Sequence, residues 1–294
     1  MRKILLIVIF LAGLGGCCTA HLPAKKKTTK PCVLVTIAPY QFLVEQIGGD
    51  ALHVLTIAPP GTNPHTYEPT IRQVAKLKEG LVWFRIGESF EDKIIPNLKK
   101  ERPDLLVVDL REGIDLISIE GEGCCHCCHH SEDRHIWLSP ARVSQQAKAI
   151  EHALSQKFPH QKELFAARLA KLQEALSSLE EELDTLLAPF SNSSLVVSHP
   201  AFGYFCKDFH LHQLSIEQEG KEPRPRHLEQ IVKEAKETHA TLALALPQYN
   251  NKGVELIAKD LKLPLYTIDP YAPDCLATMK TLAHLMTHLS EEKL

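Results

Sequence analysis

Residues 161–189 read QKELFAARLAKLQEALSSLEEELDTLLAP, and their apolar side chains step by 4, 3, 4, 3, 4, 3 from Phe165 through Leu169, Leu172, Leu176, Leu179 and Leu183 to Leu186. That spacing keeps one apolar stripe on one face of a helix, which Pro189 ends. About three heptads is short for a free two-stranded coiled coil. A helix over Gln161–Ala188 would be ~42 Å long at ~1.5 Å rise per residue, long enough to bridge two small lobes and bury its stripe against them.

The flanking sequence has a different rhythm. Upstream, the β-branched run Cys32–Ile37 breaks at Pro39 into a helical stretch, Gln41–Ile47. A second apolar run, Leu52–Ala58, leads into the Pro/Gly loop 59–64. After it come a helix (Arg72–Glu79), a strand (Leu81–Ile86), a helix (Phe90–Leu98) and a strand (Asp104–Leu110). Strands alternating with helices indicate a parallel sheet. Downstream the order recurs. Leu195–Pro200 parallels Leu34–Pro39, and the helix Arg226–Thr238 with the strand Thr241–Leu246 parallels the earlier pair. Leu265–Ile268 closes the series before Asp269-Pro270. The fold class is therefore α/β, with two related lobes, each a mainly parallel sheet flanked by helices, joined by one long rigid α-helix. The boundaries are an N-terminal lobe at 31–158, a bridging segment at 159–189 and a C-terminal lobe at 190–294.

Arg2 and Lys3, the apolar run Ile4–Leu14 and the sequence Leu14-Gly15-Gly16-Cys17 follow the order of a bacterial lipoprotein signal. The apolar run is too short for a membrane-spanning helix, which needs ~20 residues. Residues 1–16 read as a signal peptide, Cys17 as the lipidated residue and 17–30 as a polar tether. A cleaved signal without lipid is the alternative. The protein is then exported, periplasmic or cell-surface, and held to a bacterial membrane by its N-terminal lipid. A formal charge of −3 gives no basic surface for nucleic acid.

The chain has 16 His and 9 Cys. The cysteines form no disulfide framework, because Cys124, Cys125, Cys127 and Cys128 crowd together and Cys32, Cys206 and Cys275 are scattered. Four residues have informative settings: His65 in a loop after a strand, His135 in DRHIWLSP, and His199 and Asp269 at strand ends before prolines. Carboxyl ends of strands in open α/β sheets are where ligands bind. Two candidates come from each lobe, placing the site between them. Three imidazoles and one carboxylate suit tetrahedral Zn²⁺ at ~2.0–2.2 Å. Glu68 is the candidate to orient His65 through its second ring nitrogen.

The segments PHTYEP (64–69), HIWLSP (135–140), SHPAFGYF (198–205), EPRPRHLEQI (222–231) and IDP (268–270), with the strand start and bridging helix, resemble the ZnuA/TroA-type zinc- and manganese-binding lipoproteins of bacterial ABC importers. The resemblance covers nearly everything after the tether. It implies a monomeric receptor that captures Zn²⁺ between its lobes on His65, His135, His199 and Asp269 and delivers it to a membrane permease. His at position 199, where manganese-selective members carry Glu, points to zinc, with Mn²⁺ or Fe²⁺ as the alternative cargo. The chain departs from the family at Ser139, where Asp is usual, which bears on local capping of the loop.

Immediately before His135 lies a Cys/His-rich loop, 121–133, containing Cys124, Cys125, His126, Cys127, Cys128, His129 and His130. Zinc-type members of the family often carry a His- and acid-rich loop here. Thiolates and imidazoles together favour Zn²⁺ or Cu⁺, so the loop reads as an auxiliary metal-gathering segment, with a low-complexity insertion as the plain alternative. Two other classes remain. A zinc hydrolase needs an open coordination position and a nearby base, and no HExxH segment is present. A metal-buffering or adhesive lipoprotein would use the same site. Deleting residues 124–130 is expected to remove only weak, additional metal equivalents in calorimetry and to leave the tight site intact.

Overall fold

A computed structural model describes residues 30–119, 131–217 and 224–291. Residues 1–16, Cys17 and most of the 17–30 tether lie outside the described residues, as do Cys124 to His130.

The N-terminal lobe runs β1 (Cys32–Val35), α1 (Ala38–Gly48), β2 (His53–Thr56), α2 (Ile71–Lys76), β3 (Gly80–Arg85), α3 (Ser89–Glu101) and β4 (Leu106–Asp109). A short antiparallel pair, β5 (Ser118–Ile119) and β6 (Ser131–Glu132), leads to α4 (Pro140–Lys157) and α5 (Lys162–Leu187). The C-terminal lobe follows as β7 (Ser194–Val197), α6 (Gly203–Asp208), β8 (His212–Ser215), α7 (Pro225–Glu237), β9 (Leu242–Ala245), α8 (Lys252–Leu261), β10 (Leu265–Thr267) and α9 (Cys275–Glu291).

The first sheet has the order β2-β1-β3-β4 and the second β8-β7-β9-β10, every pair parallel. The two orders are the same topology used twice, which is the repeat expected from the strand sequences. The central strands β1, β7 and β9 are buried at every residue. This explains why they read as continuous apolar runs: helices cover both faces of a parallel sheet, so alternation is lost.

α5 contacts α1 and α4 on the N-terminal side and α9 on the C-terminal side. Its stripe is buried at Phe165, Leu172, Leu176, Leu179 and Leu183, but the last buried position is Leu187 and not Leu186. A straight helix turns every 3.6 residues, so a strict 3.5-residue seam drifts off the contact face over several turns. The C-terminal lobe leans on the same helix, and further ties join the lobes. Trp137 Nε1 donates to Pro270 O at 2.7 Å, and the Tyr204 hydroxyl donates to Asp133 O at 2.8 Å while accepting from Ile117 N at 3.0 Å.

The 18-residue α4 lies outside the elements read from sequence, although its signals are ordinary ones. Ser139 caps it, accepting from Arg142 N at 3.3 Å, Pro140 is at its first position, and Val143, Ala147, Ile150 and Leu154 face the core. At Ser139, where a carboxylate is usual in the similar family, Asp208 of α6 supplies one across the lobes. Ser139 Oγ donates to it at 2.5 Å, and Arg142 pairs with it.

Leu183 is fully buried where α5 carries its seam. Leu183→Ala is expected to lower unfolding free energy by ~2–5 kcal/mol in denaturant titration, through lost burial and the cavity left behind.

Candidate metal centre

The carboxyl ends of the two sheets face one cleft, and the loops leaving them carry its polar groups. His65 lies in the loop after β2, where Asn63 Oδ1 accepts from the His65 backbone N at 2.9 Å. Its position is steadied downstream by the Thr70–Gln73 capping box of α2, in which Gln73 Nε2 also donates to the Tyr67 hydroxyl at 2.6 Å. His135 follows the β5–β6 pair, and Asp133 Oδ1 accepts from its backbone N at 2.9 Å. His199 follows β7 directly.

These three residues, two from the N-terminal side and one from the C-terminal lobe, converge. Their ring centroids are 5.2 Å (His65–His135), 5.3 Å (His65–His199) and 5.1 Å (His135–His199) apart. One ligand nitrogen from each lies within 4.8 Å of the other two. His65 Nε2 and His135 Nε2 are 3.4 Å apart. His135 and His199 are buried, while His65 is partly exposed and forms the solvent side.

Each imidazole has a carboxylate behind it. Glu88 lies 3.1 Å from His65 Nδ1, Asp133 Oδ1 is 2.7 Å from His135 Nδ1, and Glu217 is 3.1 Å from His199 Nδ1. With Nδ1 facing an acid, the other ring nitrogen is directed toward the shared centre. His199 Nε2 is buried and has no hydrogen-bond partner among the described residues. A buried, unpartnered ring nitrogen beside two further imidazoles fits a metal ion that accepts their lone pairs.

The expectation for Glu68 is corrected. Its carboxylate is exposed and pairs with Lys93 of α3, while Glu88 takes the place behind His65. Glu88 gets there by the turn after β3. Gly87 adopts φ +88°, where a Cβ would also collide with the Arg111 guanidinium, and buried Glu91 accepts from Ile86 N at 3.1 Å and Gly87 N at 2.7 Å. Arg134 Nη1 lies 3.5 Å from Glu88 on the other side. Burial raises the Glu88 carboxyl, but the His65 hydrogen bond and the charges of His65, Arg134 and His135 outweigh it, leaving its pKa below the ordinary value.

The structure does not bring Asp269 into the cluster of ring nitrogens. Its Oδ1 accepts from Gln248 Nε2 and from Tyr271 N, both at 2.9 Å. Both donors fall on the same oxygen, which shapes the turn. The tyrosines nearby carry no signal in the sequence reading. The Tyr271 hydroxyl is 3.3 Å from both His65 Nε2 and His135 Nε2, and 2.5 Å from the Tyr249 hydroxyl. The Tyr249 ring stacks on His199 at 3.9 Å between centroids. Of the missed residues, Asp133 alone had a local cue, since it stands two residues before His135 as Asn63 stands before His65.

Burial pushes His199 down to about 4, against the pull of Glu217 and with the help of the neighbouring imidazoles. It is therefore neutral, and so able to ligate, across the physiological range. The sign for stability follows from a folded value below the ordinary 6.5. The contribution of neutral His199 is full above about pH 6.5 and is lost as pH falls toward about 4.

Comparison with known proteins gives the family and the fold. Residues 33–292 match the family described as ZnuA, zinc-uptake complex component A, periplasmic. A putative metal-binding protein of Chlamydia trachomatis is 28% identical over 285 residues, covering 97% of this chain and 99% of the relative. The zinc-binding lipoprotein AdcA of Streptococcus pneumoniae is 29% identical over 279 residues, covering 87% of this chain and 54% of its own length. The metal ABC transporter substrate-binding lipoprotein ScbA of Streptococcus cristatus is 26% identical, covering 90% and 87%. Among solved structures, a crystal structure of ZnuA superposes with a TM-score of 0.81 at 32% identity, covering 89% of this chain and 99% of that one.

Glu88→Gln is expected to weaken metal binding about 10- to 100-fold in calorimetry, the usual effect of losing the acid behind a ligating imidazole. Glu68→Gln is expected to leave it within about twofold, and the reverse ranking would restore the sequence expectation.

Proposed function

The chain belongs to the ZnuA family, and we propose that it is the exported receptor that captures Zn²⁺ on His65, His135 and His199 and hands it to the permease of an ABC importer. The metal here is cargo. The observation that carries the reading is the convergence of three imidazoles, each backed by its own carboxylate, at the mouth between two lobes.

The donor set supports zinc over manganese. Imidazole nitrogen suits Zn²⁺, whereas Mn²⁺ is better served by carboxylate and carbonyl oxygen. Three neutral imidazoles leave the dipositive charge uncompensated at the centre, and Glu88, Asp133 and Glu217 supply negative charge one ring away. Those same positions argue against a hydrolase: each carboxylate is spent on an Nδ1, so none faces the metal as a base for water. The lipoprotein names of the streptococcal relatives support lipid on Cys17 and a place at the outer face of a membrane. Among the described residues no helix is long and apolar enough to cross a membrane.

The test is metal analysis of protein purified from its native source, together with competitive Zn²⁺/Mn²⁺ titration of the wild type and His199→Ala. The expected result is co-purified zinc, a preference for zinc over manganese, and a loss of affinity of about 100-fold or more (~3 kcal/mol) in the variant. Co-purified manganese or iron with matching affinity would reassign the cargo, and unchanged binding in His199→Ala would remove the site.

A further inference from the structure

We propose that Tyr204 of the C-terminal lobe is a positioning residue for His135, acting through the main chain of Asp133. The inference rests on the three-histidine reading above and adds a residue that reaches the site only through the acid behind a ligand.

The first observation is a split ladder bond. β5 and β6 pair antiparallel with Ser118 opposite Glu132 and Ile119 opposite Ser131, which puts Ile117 opposite Asp133. Residues of a hydrogen-bonded antiparallel pair exchange two N–H···O=C bonds. One of the two is made here, Asp133 N donating to Ile117 O at 2.8 Å. The other is interrupted by the Tyr204 hydroxyl, which accepts from Ile117 N at 3.0 Å and donates to Asp133 O at 2.8 Å. A side chain from the other lobe thus completes the pair and holds it open by the width of one oxygen.

The second observation is what that opening carries. Asp133 Oδ1 lies 2.7 Å from His135 Nδ1 and accepts from His135 N at 2.9 Å. The main chain of Asp133 is pinned at N by Ile117 and at O by Tyr204, so the direction of its carboxylate is set from two sides. Gly203, the neighbour of Tyr204, comes so close that a Cβ there would meet Asp133 Oδ2 at 2.7 Å. α6 therefore bounds the carboxylate as well as the main chain that bears it.

The third observation is how Tyr204 is itself held. It is fully buried. The Arg142 guanidinium lies 5.0 Å from the centre of its ring, and Arg142 also pairs with Asp208, one turn further along α6. Burial pushes the phenol up to about 12, so the proton donated to Asp133 O stays on the oxygen at physiological pH. Tyr204 also belongs to the segment that begins with His199. That segment of the C-terminal lobe supplies one ligand directly and steadies the acid behind a ligand of the other lobe. A shift of α6 against the N-terminal lobe acts on both imidazoles together.

The experiment applies competitive Zn²⁺ titration to Tyr204→Phe, Asp133→Asn, their double variant, Gly203→Ala and Lys207→Ala. Denaturant unfolding of the metal-free proteins and the histidine side-chain ¹⁵N spectrum of the zinc-loaded ones accompany it. Tyr204→Phe keeps the buried ring and removes both hydroxyl bonds. It is expected to lower zinc affinity about 3- to 10-fold, less than the ~10- to 100-fold of losing an acid that touches a ligating ring. The His135 Nδ1 resonance is expected to move while those of His65 and His199 stay near their wild-type positions. In the Asp133→Asn background the same change is expected to cost less than about twofold, because the carboxylate it positions is already gone. Gly203→Ala displaces that carboxylate without touching the hydroxyl, and is expected to lower affinity as well. Lys207→Ala removes only the exposed pair of α6 with Asp115 and is expected to bind zinc as the wild type does. A merely structural tie would lower the unfolding midpoint of Tyr204→Phe and leave its zinc affinity and His135 resonance unchanged, and that result overturns the proposal. So does an equal loss with and without the Asp133 carboxylate. If Tyr204→Phe does not fold, Gly203→Ala decides, and wild-type affinity there overturns the proposal. Failure of the three-histidine reading looks different: His135→Ala would then keep the tight zinc site.

Discussion

A metal site assembled from two lobes exists only if the lobes keep a fixed separation, and the buried seam of α5 sets that separation. Phe165, Leu172, Leu176, Leu179, Leu183 and Leu187 line one face of a 26-residue helix that touches helices of both lobes. An apolar stripe of this length contributes through burial that neither lobe alone provides. The remaining ties act on top of it. Trp137 to Pro270, Tyr204 to Asp133, and Asp208 to Ser139 and Arg142 all cross between the lobes close to the cleft. Gly203 belongs to the same group: a Cβ there would meet Asp133 Oδ2 at 2.7 Å, so the absence of a side chain lets α6 approach the turn that carries His135.

Within that frame the electrostatics of the cleft are arranged in layers. Ring nitrogens face the centre, carboxylates stand behind them, and Arg134 and the Glu91 network hold the carboxylate behind His65. Burial keeps His199 neutral, and burial offset by charge keeps Glu88 ionised. Both conditions favour binding a cation at neutral pH, since a ligand must offer a lone pair and its supporting acid a negative charge. The two tyrosines add a polar, largely buried wall on the C-terminal side, where Tyr249 stacks on His199 and Tyr271 reaches the other two imidazoles.

Much of the architecture was legible because it rests on local pattern. The 4-3 spacing of residues 165–186 marked the bridging helix, the apolar runs ending in proline marked β1 and β7, and the recurrence of their order marked two lobes of like topology. α4 was equally well signalled by Ser139, Pro140 and its apolar face, but a reading centred on the HIWLSP motif passes over it. Glu68 was chosen as the partner of His65 because it is near in sequence. Glu88 is the one that arrives in space, carried by a different strand end and a turn that needs Gly87 in a left-handed conformation. Sequence distance does not report which loops share a cleft.

The sequence by itself determined the fold class, the repeat and the three histidines, because periodicity, proline breaks and motif context are properties of short segments. Tertiary structure alone decided which distant carboxylates stand behind His65 and His199, Glu88 and Glu217. Glu68 and Glu88 are both acids downstream of His65, and their order does not show which of them reaches its ring. The turn after β3 that brings Glu88 to His65, and the reach of the Tyr271 hydroxyl to His65 and His135, are facts of tertiary structure. They follow from which loops at the strand ends are packed into one cleft, which no local pattern encodes.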